Sequence, residues 1–398
     1  MSVLNAVRGW VMFLTERRRV LIGVLAVLLI LTVLSGGLVT GALIADYDNL
    51  GTLARVVSLI DRHYLEPAAA PEMVNGAIKG VVDALGDPYS VYMPPKMYKE
   101  LREQVQGSFG GIGILVGQNE EHLTVVKPIK GTPAYEEGLK AGDVIFKIDG
   151  KDTKEMDMDT AVNLMRGPVG SEVSLTIYRQ SDKKMHDFTI VREIIKVPTV
   201  EGEIIPDTRV AYIAIMQFTS NTASELQKVL SDLGVTYSNK SGLDGIILDL
   251  RGNPGGELES AVRVADLFIP GGPIVFITYR SENEEVYEAD NQYINLPLVV
   301  LVDGNSASAS EIVAGAIKDT ESGTLIGTKT FGKGVVQSLY ELQNNAGLKL
   351  TTGKYLTPQR KDINKKGIEP DIKVEQPEEG EKDVQLEKAI EIIKEKAS

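Results

Sequence analysis

The sequence predicts an α/β multidomain protein behind an N-terminal transmembrane helix. Three observations carry this: a charge-free apolar run at residues 20–44, a glycine-punctuated β-rich block at residues 107–193, and alternating strand and helix patterns over residues 206–374. At 398 residues the chain exceeds one hydrophobic core, so two or three domains are expected. Hydrophobic residues at 43% and charged residues at 24% are the mix of a folded chain, which excludes wholesale disorder. Cysteine is absent, which excludes disulfide scaffolds, thiolate zinc sites and cysteine nucleophiles. The net charge of −13, without a basic block, argues against nucleic acid as a partner. Only His63, His122 and His186 can supply an imidazole, so a histidine-rich metal site is excluded.

The run at residues 20–44 is long enough, at about 1.5 Å per helical residue, to cross a hydrocarbon core of about 30 Å. Arg8, Arg17, Arg18 and Arg19 precede it, and Asp46 and Asp48 follow it. The positive-inside rule then places residues 1–19 in the cytoplasm and everything after the anchor outside it. A cleaved signal peptide is the alternative. Its apolar region is usually only about 7–15 residues, and Gly41-Ala42-Leu43-Ile44-Ala45 offers no clean small-x-small site.

Residues 45–105 form the next segment. Helical spacing runs through Val56, Val57, Leu59 and Ile60, then Ala77, Ile78, Val81, Val82 and Leu85. Asp87-Pro88 stops it, since proline disfavours helix in the preceding residue, and residues 97–105 give a further short helix. No chemistry is visible here; packing or dimer contacts are the expected use.

Residues 106–193 change character. Short β-rich runs at 112–116, 123–126, 144–148, 173–178 and 188–191 are joined by glycine turns, with one helix at 157–165. Gly107-Ser108-Phe109-Gly110-Gly111-Ile112-Gly113-Ile114 can aim successive backbone N–H groups at a carboxylate, and the following strand edge can pair with an extended peptide. Thr132-Pro133-Ala134 and Gly138-Leu139-x-x-Gly142-Asp143-x-Ile145 follow. Together these resemble a PDZ domain in the circularly permuted order found in bacterial proteases. The resemblance implies a C-terminal peptide site at Gly110, Gly111, Ile112, Gly113 and Ile114.

Residues 194–375 alternate buried strands (210–215, 246–250, 298–302) with helices (220–233, 258–268, 310–320), the pattern of a parallel sheet. Residues 376–398 hold a charged linker and an amphipathic helix on Leu386, Ala389, Ile390 and Ile393, with Asp383 as N-cap.

The chemistry gathers in that α/β part. Asn305-Ser306-Ala307-Ser308-Ala309-Ser310-Glu311 follows a strand and opens a helix, where unpaired N–H groups and the positive dipole end can receive an oxyanion. Ser308-x-x-Glu311 is also a plain capping box. Phe331-Gly332-Lys333-Gly334-Val335-Val336-Gln337 places a lysine among glycines and apolar residues, 25 positions after Ser308. An ammonium that loses solvation there loses its proton more easily and can act as a base without histidine. Alone, Lys333 also reads as a surface lysine in a glycine turn. Gln337, four residues on, returns to the same face and can hold the neutral amine. A buried strand ends at Leu250-Arg251-Gly252-Asn253-Pro254-Gly255-Gly256, where Gly255 or Gly256 can donate an N–H to a tetrahedral intermediate. Phosphate binding is the competing use of such a loop; the Lys–Ser/Thr ending of a P-loop is missing.

In this order the segments resemble the carboxyl-terminal processing peptidases, or tail-specific proteases. The resemblance spans nearly the whole chain beyond the anchor. It includes Asp87-Pro88-Tyr89-Ser90-x-Tyr92 and Gly367-Ile368-Glu369-Pro370-Asp371 besides the stretches already quoted. It implies a crotonase/ClpP-like core with Ser308 as nucleophile, Lys333 as general base and Gln337 as its positioning partner. It also implies an oxyanion hole from the N–H groups of Ala309, Gly255 and Gly256, supporting acids Glu311 and Asp319, and flanking, non-catalytic Ser306 and Ser310. Arg166 matches a PDZ arginine that reaches the protease side in similar proteins when peptide is bound; an exposed helix-end arginine is the plainer reading. One departure is visible: after Tyr355-Leu356-Thr357-Pro358 relatives usually carry glycine two residues on, where this chain has Gln359-Arg360-Lys361.

The expected protein is therefore a serine endopeptidase in a bacterial cell membrane, single-pass, with its catalytic part outside the cytoplasm. It would capture protein or peptide C-termini through the PDZ domain and form homodimers, and as a serine endopeptidase it is expected to need no metal or cofactor. A membrane-tethered PDZ binder with an idle protease fold is the alternative, and a crotonase-like thioester enzyme is a third reading.

Overall fold

The computed structural model describes residues 50–119, 122–237, 242–377 and 382–397. The expected membrane span at 20–44 lies outside them. Among the described residues no helix is long and apolar enough to cross a membrane.

The chain divides into two compact units between Val81 and Val82. The first holds helix α1 (Leu50–His63) and most of α2 (Ala70–Asp83). The sequence spacing predicts one helical stretch here; the structure interrupts it over 64–69. Pro67 is the reason, because it removes a donor and its ring disfavours helix before it.

In the second unit come β1 (Val91–Met93), α3 (Pro95–Gln106) and β2 (Ser108–Gly111). Pro95 occupies the first turn of α3, where its missing N–H does no harm, and Gly107 ends the helix in a left-handed conformation. The β-rich block then follows as β3 (Ile114–Asn119), β4 (His122–Pro128), α4 (Pro133–Glu136), β5 (Val144–Ile148), β6 (Lys151–Asp152), α5 (Met158–Met165), β7 (Glu172–Arg179) and β8 (Lys184–Val191). These strands form an antiparallel sheet in the order β3-β4-β5-β7-β8, with β6 on β5. Its own core buries Leu123, Val125, Ile145, Ile148, Leu175, Ile177 and Ile190 beside Ala161 and Met165 of α5. Asp157 caps α5 by accepting from Thr160 N at 2.8 Å. Strand β9 (Glu193–Lys196) returns to pair with β2, closing the module at its base.

The remainder comprises β10 (Val200–Ile204), β11 (Val210–Ile215), α6 (Thr222–Asp232), β12 (Gly245–Asp249), α7 (Leu258–Asp266), β13 (Gly272–Tyr279), β14 (Glu284–Ala289) and β15 (Leu298–Val302). Next are α8 (Ala309–Asp319), β16 (Thr324–Gly327), β17 (Val335–Glu341), β18 (Gly347–Leu356), β19 (Ile372–Lys373) and α9 (Val384–Ala397). The central sheet runs β10-β11-β12-β15-β16-β19, parallel throughout except for β10. Its strands are apolar on both faces because both are covered. Ile246, Leu248, Val300 and Val302 point into the core shared with α6, α7 and α8. Ile247, Val299 and Leu301 alternate to the other side, against Ala389 and Ile393 of α9. The tail helix is thus part of this core. Asp383 caps it by accepting from Leu386 N at 3.0 Å.

A second, antiparallel sheet was not read from the sequence. Strand β18 pairs with β17, β1 and β13, and β13 pairs with β14. This sheet brings β18 and the turn before β1 to the C-terminal ends of the central strands.

Candidate active site

Ser308 is the N-cap of α8, directly after the loop that follows β15. Its backbone adopts φ 53° and ψ −110°, a region that costs a side-chain-bearing residue energy and persists only where the surroundings enforce it. Those surroundings are specific. Asn253, fully buried, accepts at its carbonyl from Ala307 N at 3.1 Å and from Ser310 Oγ at 3.0 Å. Tyr355 donates its hydroxyl to the Ser308 carbonyl at 3.2 Å. Glu311 accepts from Ser308 N at 2.9 Å, so the capping-box pair is present and still leaves Ser308 lining a cavity.

The flanking serines have structural partners. Ser306 Oγ donates to Leu250 O at 2.8 Å and accepts from Asp303 N, and both Ser306 and Ser310 are fully buried.

The cavity has a volume of about 370 Å³. Ser308, Ala309, Gly255, Gly256, Lys333, Gln337, Lys349 and Tyr355 all line it. The loop carrying Lys333 is clamped from two directions. Gly332 and Gly334 press on the backbone of residues 364–367, leaving no room for a Cβ, and Gly332 O accepts from Lys365 N at 2.7 Å. From α8, Glu311 accepts from Gly332 N at 2.7 Å, Lys333 N at 2.8 Å and Thr330 Oγ1 at 2.6 Å. One fully buried carboxylate therefore ties the Lys333 loop to the backbone of Ser308.

The Lys333 ammonium lies 4.9 Å from the ring centroid of Tyr89. Burial pushes its pKa below the ordinary lysine value, and the Lys349 ammonium adds to this, while the carboxylates of Glu311 and Asp87 oppose it. Among the described residues Lys333 has no ion-pair partner. The apolar surroundings differ in one respect from the sequence expectation: Val335 is buried, but Phe331 is 57% exposed.

Other expected partners are placed as follows. Ser308 and Lys333 share the cavity without a hydrogen bond between their side chains. The Gln337 amide donates to Val335 O at 3.2 Å and does not hold the lysine amine. A register shift between Val336 and Gln337 breaks the alternation on which the same-face expectation rested. In the glycine loop, the N–H of Gly255, an expected oxyanion donor, is bonded to Asn253 Oδ1 at 2.9 Å. Among the described residues the N–H groups of Gly256 and Ala309 have no partner. Asp319 accepts from Gln359 N at 3.0 Å, Lys361 Nζ at 2.8 Å and the Thr357 hydroxyl, closing the turn after β18 away from the cavity.

Tyr89, Lys349 and Tyr355 are site residues that sequence reading missed. Tyr89 is placed by its turn: Asp87 accepts from Ser90 Oγ at 2.5 Å and from Tyr89 N at 3.1 Å, and Ser90 Oγ accepts from Thr351 N at 3.1 Å.

In the β-rich module, β3 pairs with β4 alone among the described residues and so presents an open edge, with α5 packed beside it. Gly110, Gly111, Ile112, Gly113 and Ile114 lead into that edge. Gly113 takes a positive φ and packs against Thr132, whose hydroxyl donates to Gly113 O at 3.0 Å. Arg166 ends α5, stacks 4.1 Å over the Phe109 ring, and places Nη1 3.9 Å from Glu103 of α3. It faces a second cavity, of about 810 Å³, between α3, α5 and Val197, Thr199 and Gln217.

The site and module define a PDZ-bearing serine-type peptidase, and comparison with known proteins agrees. The model of peptidase family S41 matches residues 209–374, a PDZ-domain model matches 124–179, and the model of the activating protease CtpB N-terminal domain matches 40–96. A carboxy-terminal-processing protease of Bartonella bacilliformis is 41% identical over 335 residues, covering 83% of this chain and 76% of that one. A carboxyl-terminal-processing protease of Synechocystis is 38% identical, covering 80% and 75%. The carboxy-terminal processing protease CtpA of Bacillus subtilis is 38% identical, covering 84% and 70%. The chain belongs to the carboxyl-terminal processing proteases of peptidase family S41.

Proposed function

We propose that this protein is a membrane-anchored, extracytoplasmic endopeptidase that cuts polypeptides through Ser308 and Lys333 after its PDZ domain takes hold of a C-terminus. The observation that carries this reading is the shared cavity, lined by a helix-capping serine and by a half-buried lysine that has no ion-pair partner among the described residues. The neutral amine of Lys333 removes the Ser308 proton as Oγ attacks the peptide carbonyl. The N–H groups of Ala309 and Gly256 receive the oxyanion. Lys333 returns the proton to the leaving amine, and the acyl group stays on Ser308. Lys333 then deprotonates a water that releases it.

Regulation by the PDZ domain runs through α3. Its residues Glu103 and Gln104 line the cavity that Arg166 faces, and Leu101, Gln104 and Val105 line the Ser308 cavity. A tail bound at residues 110–114 shifts α5 and Arg166, and α3 carries the shift toward Lys333 and Gln337. The charge-free run at 20–44 with its flanking arginines supports the anchor and its orientation. The exposed Leu53, Val56 and Leu59 of α1 support a homodimer.

The test incubates the full chain, in detergent, with unstructured proteins differing only in their last residues. Cleavage that depends on those residues, and that Ser308→Ala abolishes while retaining tail binding, supports the reading. Turnover by Ser308→Ala overturns the nucleophile, and cleavage indifferent to the tail overturns the capture.

A further inference from the structure

Lys349 is a second lysine in the Ser308 cavity. It lies on β18, opposite Val91 of β1 on one side and Leu339 of β17 on the other. Cross-strand neighbours of this kind fix where a side chain leaves the sheet. Lys349 and Lys333 line the same 370 Å³ space, and among the described residues neither has a carboxylate within ion-pair distance. Two unpaired ammonium groups in one small cavity repel each other, and partial burial leaves little water to screen them. Glu257 is the carboxylate that lines this cavity with them, and among the described residues it forms no ion pair with Lys349.

We propose that Lys349 is a positioning residue for the hydrolysis: its ammonium group, held on β18 in the cavity that Ser308 and Lys333 line, opposes a second charge there and so readies the Lys333 amine to accept the Ser308 proton.

The groups around Lys333 come from several elements, and the Glu257 carboxylate, at the N-cap position of α7, lines the same cavity. The Tyr89 ring and the Asp87 carboxylate come from the turn before β1, and the Glu311 carboxylate comes from α8. All three favour the protonated amine. The neutral Gln337 amide, from β17, is bonded to Val335 O. Burial and Lys349 alone work the other way. A base set among two carboxylates and a π-face needs such a counterweight to work near neutral pH. Lys349 touches no reacting atom in this role; it acts through Lys333. The inference rests on Lys333 being the general base.

The experiment uses the full chain in detergent and the variants Lys349→Met, Lys349→Arg and Lys349→Glu. Two profiles are measured against pH: kcat on an internally quenched, unstructured peptide, and trace acetylation of Lys333 by acetic anhydride in a Ser308→Ala background, read by peptide mass spectrometry. With Lys349→Met, both profiles move to higher pH, the rate at a fixed pH on the acid limb falls roughly three- to tenfold, and the alkaline plateau stays. Lys349→Glu moves them further, and Lys349→Arg restores the native position. Superimposable acetylation profiles for the native chain and Lys349→Met overturn the proposal, even if that variant is inactive for structural reasons. So does an effect confined to KM for acidic substrates, which makes Lys349 a substrate contact. Turnover retained by Ser308→Ala or Lys333→Met instead overturns the dyad itself, a result distinct from an unmoved Lys333 profile in a chain whose dyad variants are dead.

Discussion

Oε2 of Glu311 accepts the backbone N–H of Lys333 at 2.8 Å. The same oxygen accepts from Ser308 N at 2.9 Å, so one atom sets the spacing of the two loops that carry the proposed chemistry. The carboxylate is fully buried and its other oxygen is engaged by Thr330 and Gly332. Glu311→Gln keeps the shape but turns one acceptor into a donor facing N–H groups. We expect a loss of about 2–4 kcal/mol in denaturant unfolding and a fall in kcat of at least 100-fold with little change in KM. Removing this negative charge also makes the Lys333 amine easier to deprotonate. A drop in kcat without an alkaline shift of the pH profile therefore reports lost geometry, and unchanged kcat removes Glu311 from the argument.

Gly255 has φ 96°, and a Cβ there would lie 2.6 Å from Ala307 O, 2.9 Å from Ala309 N and 2.9 Å from Ser308 Cβ. The contacts are backbone or the proposed nucleophile itself, so nothing can swing aside. Gly255→Ala should displace the Ser308 loop and cut kcat more than 100-fold, with a clear fall in Tm. Gly252→Ala is the control. It too has a positive φ, of 68°, but its Cβ would meet nothing within 4 Å, so only about 1 kcal/mol of backbone strain is expected and activity should persist. Equal effects of the two substitutions would refute the packing argument.

The parallel sheet, the β-rich module and the Ser308 helix were legible because each rests on local pattern: continuous apolar runs, glycine turns, a capping box. Lys349 and Tyr89 were not. They reach Lys333 only through the antiparallel sheet, in which residues 91–93 pair with residues 347–349 across most of the chain's length. Strand β18 carries lysines and threonines that give no buried-strand signal. The sequence did flag position 360, where the family resemblance led to an expectation of glycine. Arg360 adopts φ 59° there, the left-handed backbone that glycine takes freely. Its guanidinium is held by Glu284 at 2.8 and 2.9 Å and lies 4.1 Å over the Phe276 ring, which stabilises the turn in another way.

Arg251 joins the end of β12 to the tail helix. It pairs with Asp249 at 2.6 Å and Asp383 at 2.8 Å, while Tyr212 donates to Asp249 at 2.7 Å. Although burial works against its charge, these carboxylates hold the Arg251 guanidinium above its ordinary pKa. Arg251→Ala would leave Asp249 buried without its counter-charge and would untether Asp383, the cap of α9. A loss of about 3–5 kcal/mol is expected, with residues 384–397 becoming the first to exchange amide hydrogens or to be clipped by trypsin. Native-like protection of α9 in this variant would show that its apolar face alone secures it.

Lys333 should be a residue at which function and stability oppose each other. Its pKa in the folded chain is lowered, first by burial and then by Lys349, so the unfolded chain holds this proton more tightly than the folded one. The sign follows: below the folded value both states are protonated and folding bears the full cost of a half-buried charge. Between the folded value and the ordinary lysine value near 10.5, stability rises with pH as the folded chain loses its proton first. Lys333→Met keeps the length and apolar stem and removes the charge. It should abolish hydrolysis, as should Lys333→Arg, whose guanidinium stays protonated. Unlike Lys333→Arg, it should raise the unfolding midpoint at neutral pH, and the gain should shrink as the pH approaches that ordinary lysine value. Denaturant titrations of the native chain and both variants at several pH values measure this directly. A methionine variant no more stable than the native chain at neutral pH would mean that the amine is well solvated in the folded protein, and an amine so placed stays protonated there and cannot take the proton of Ser308.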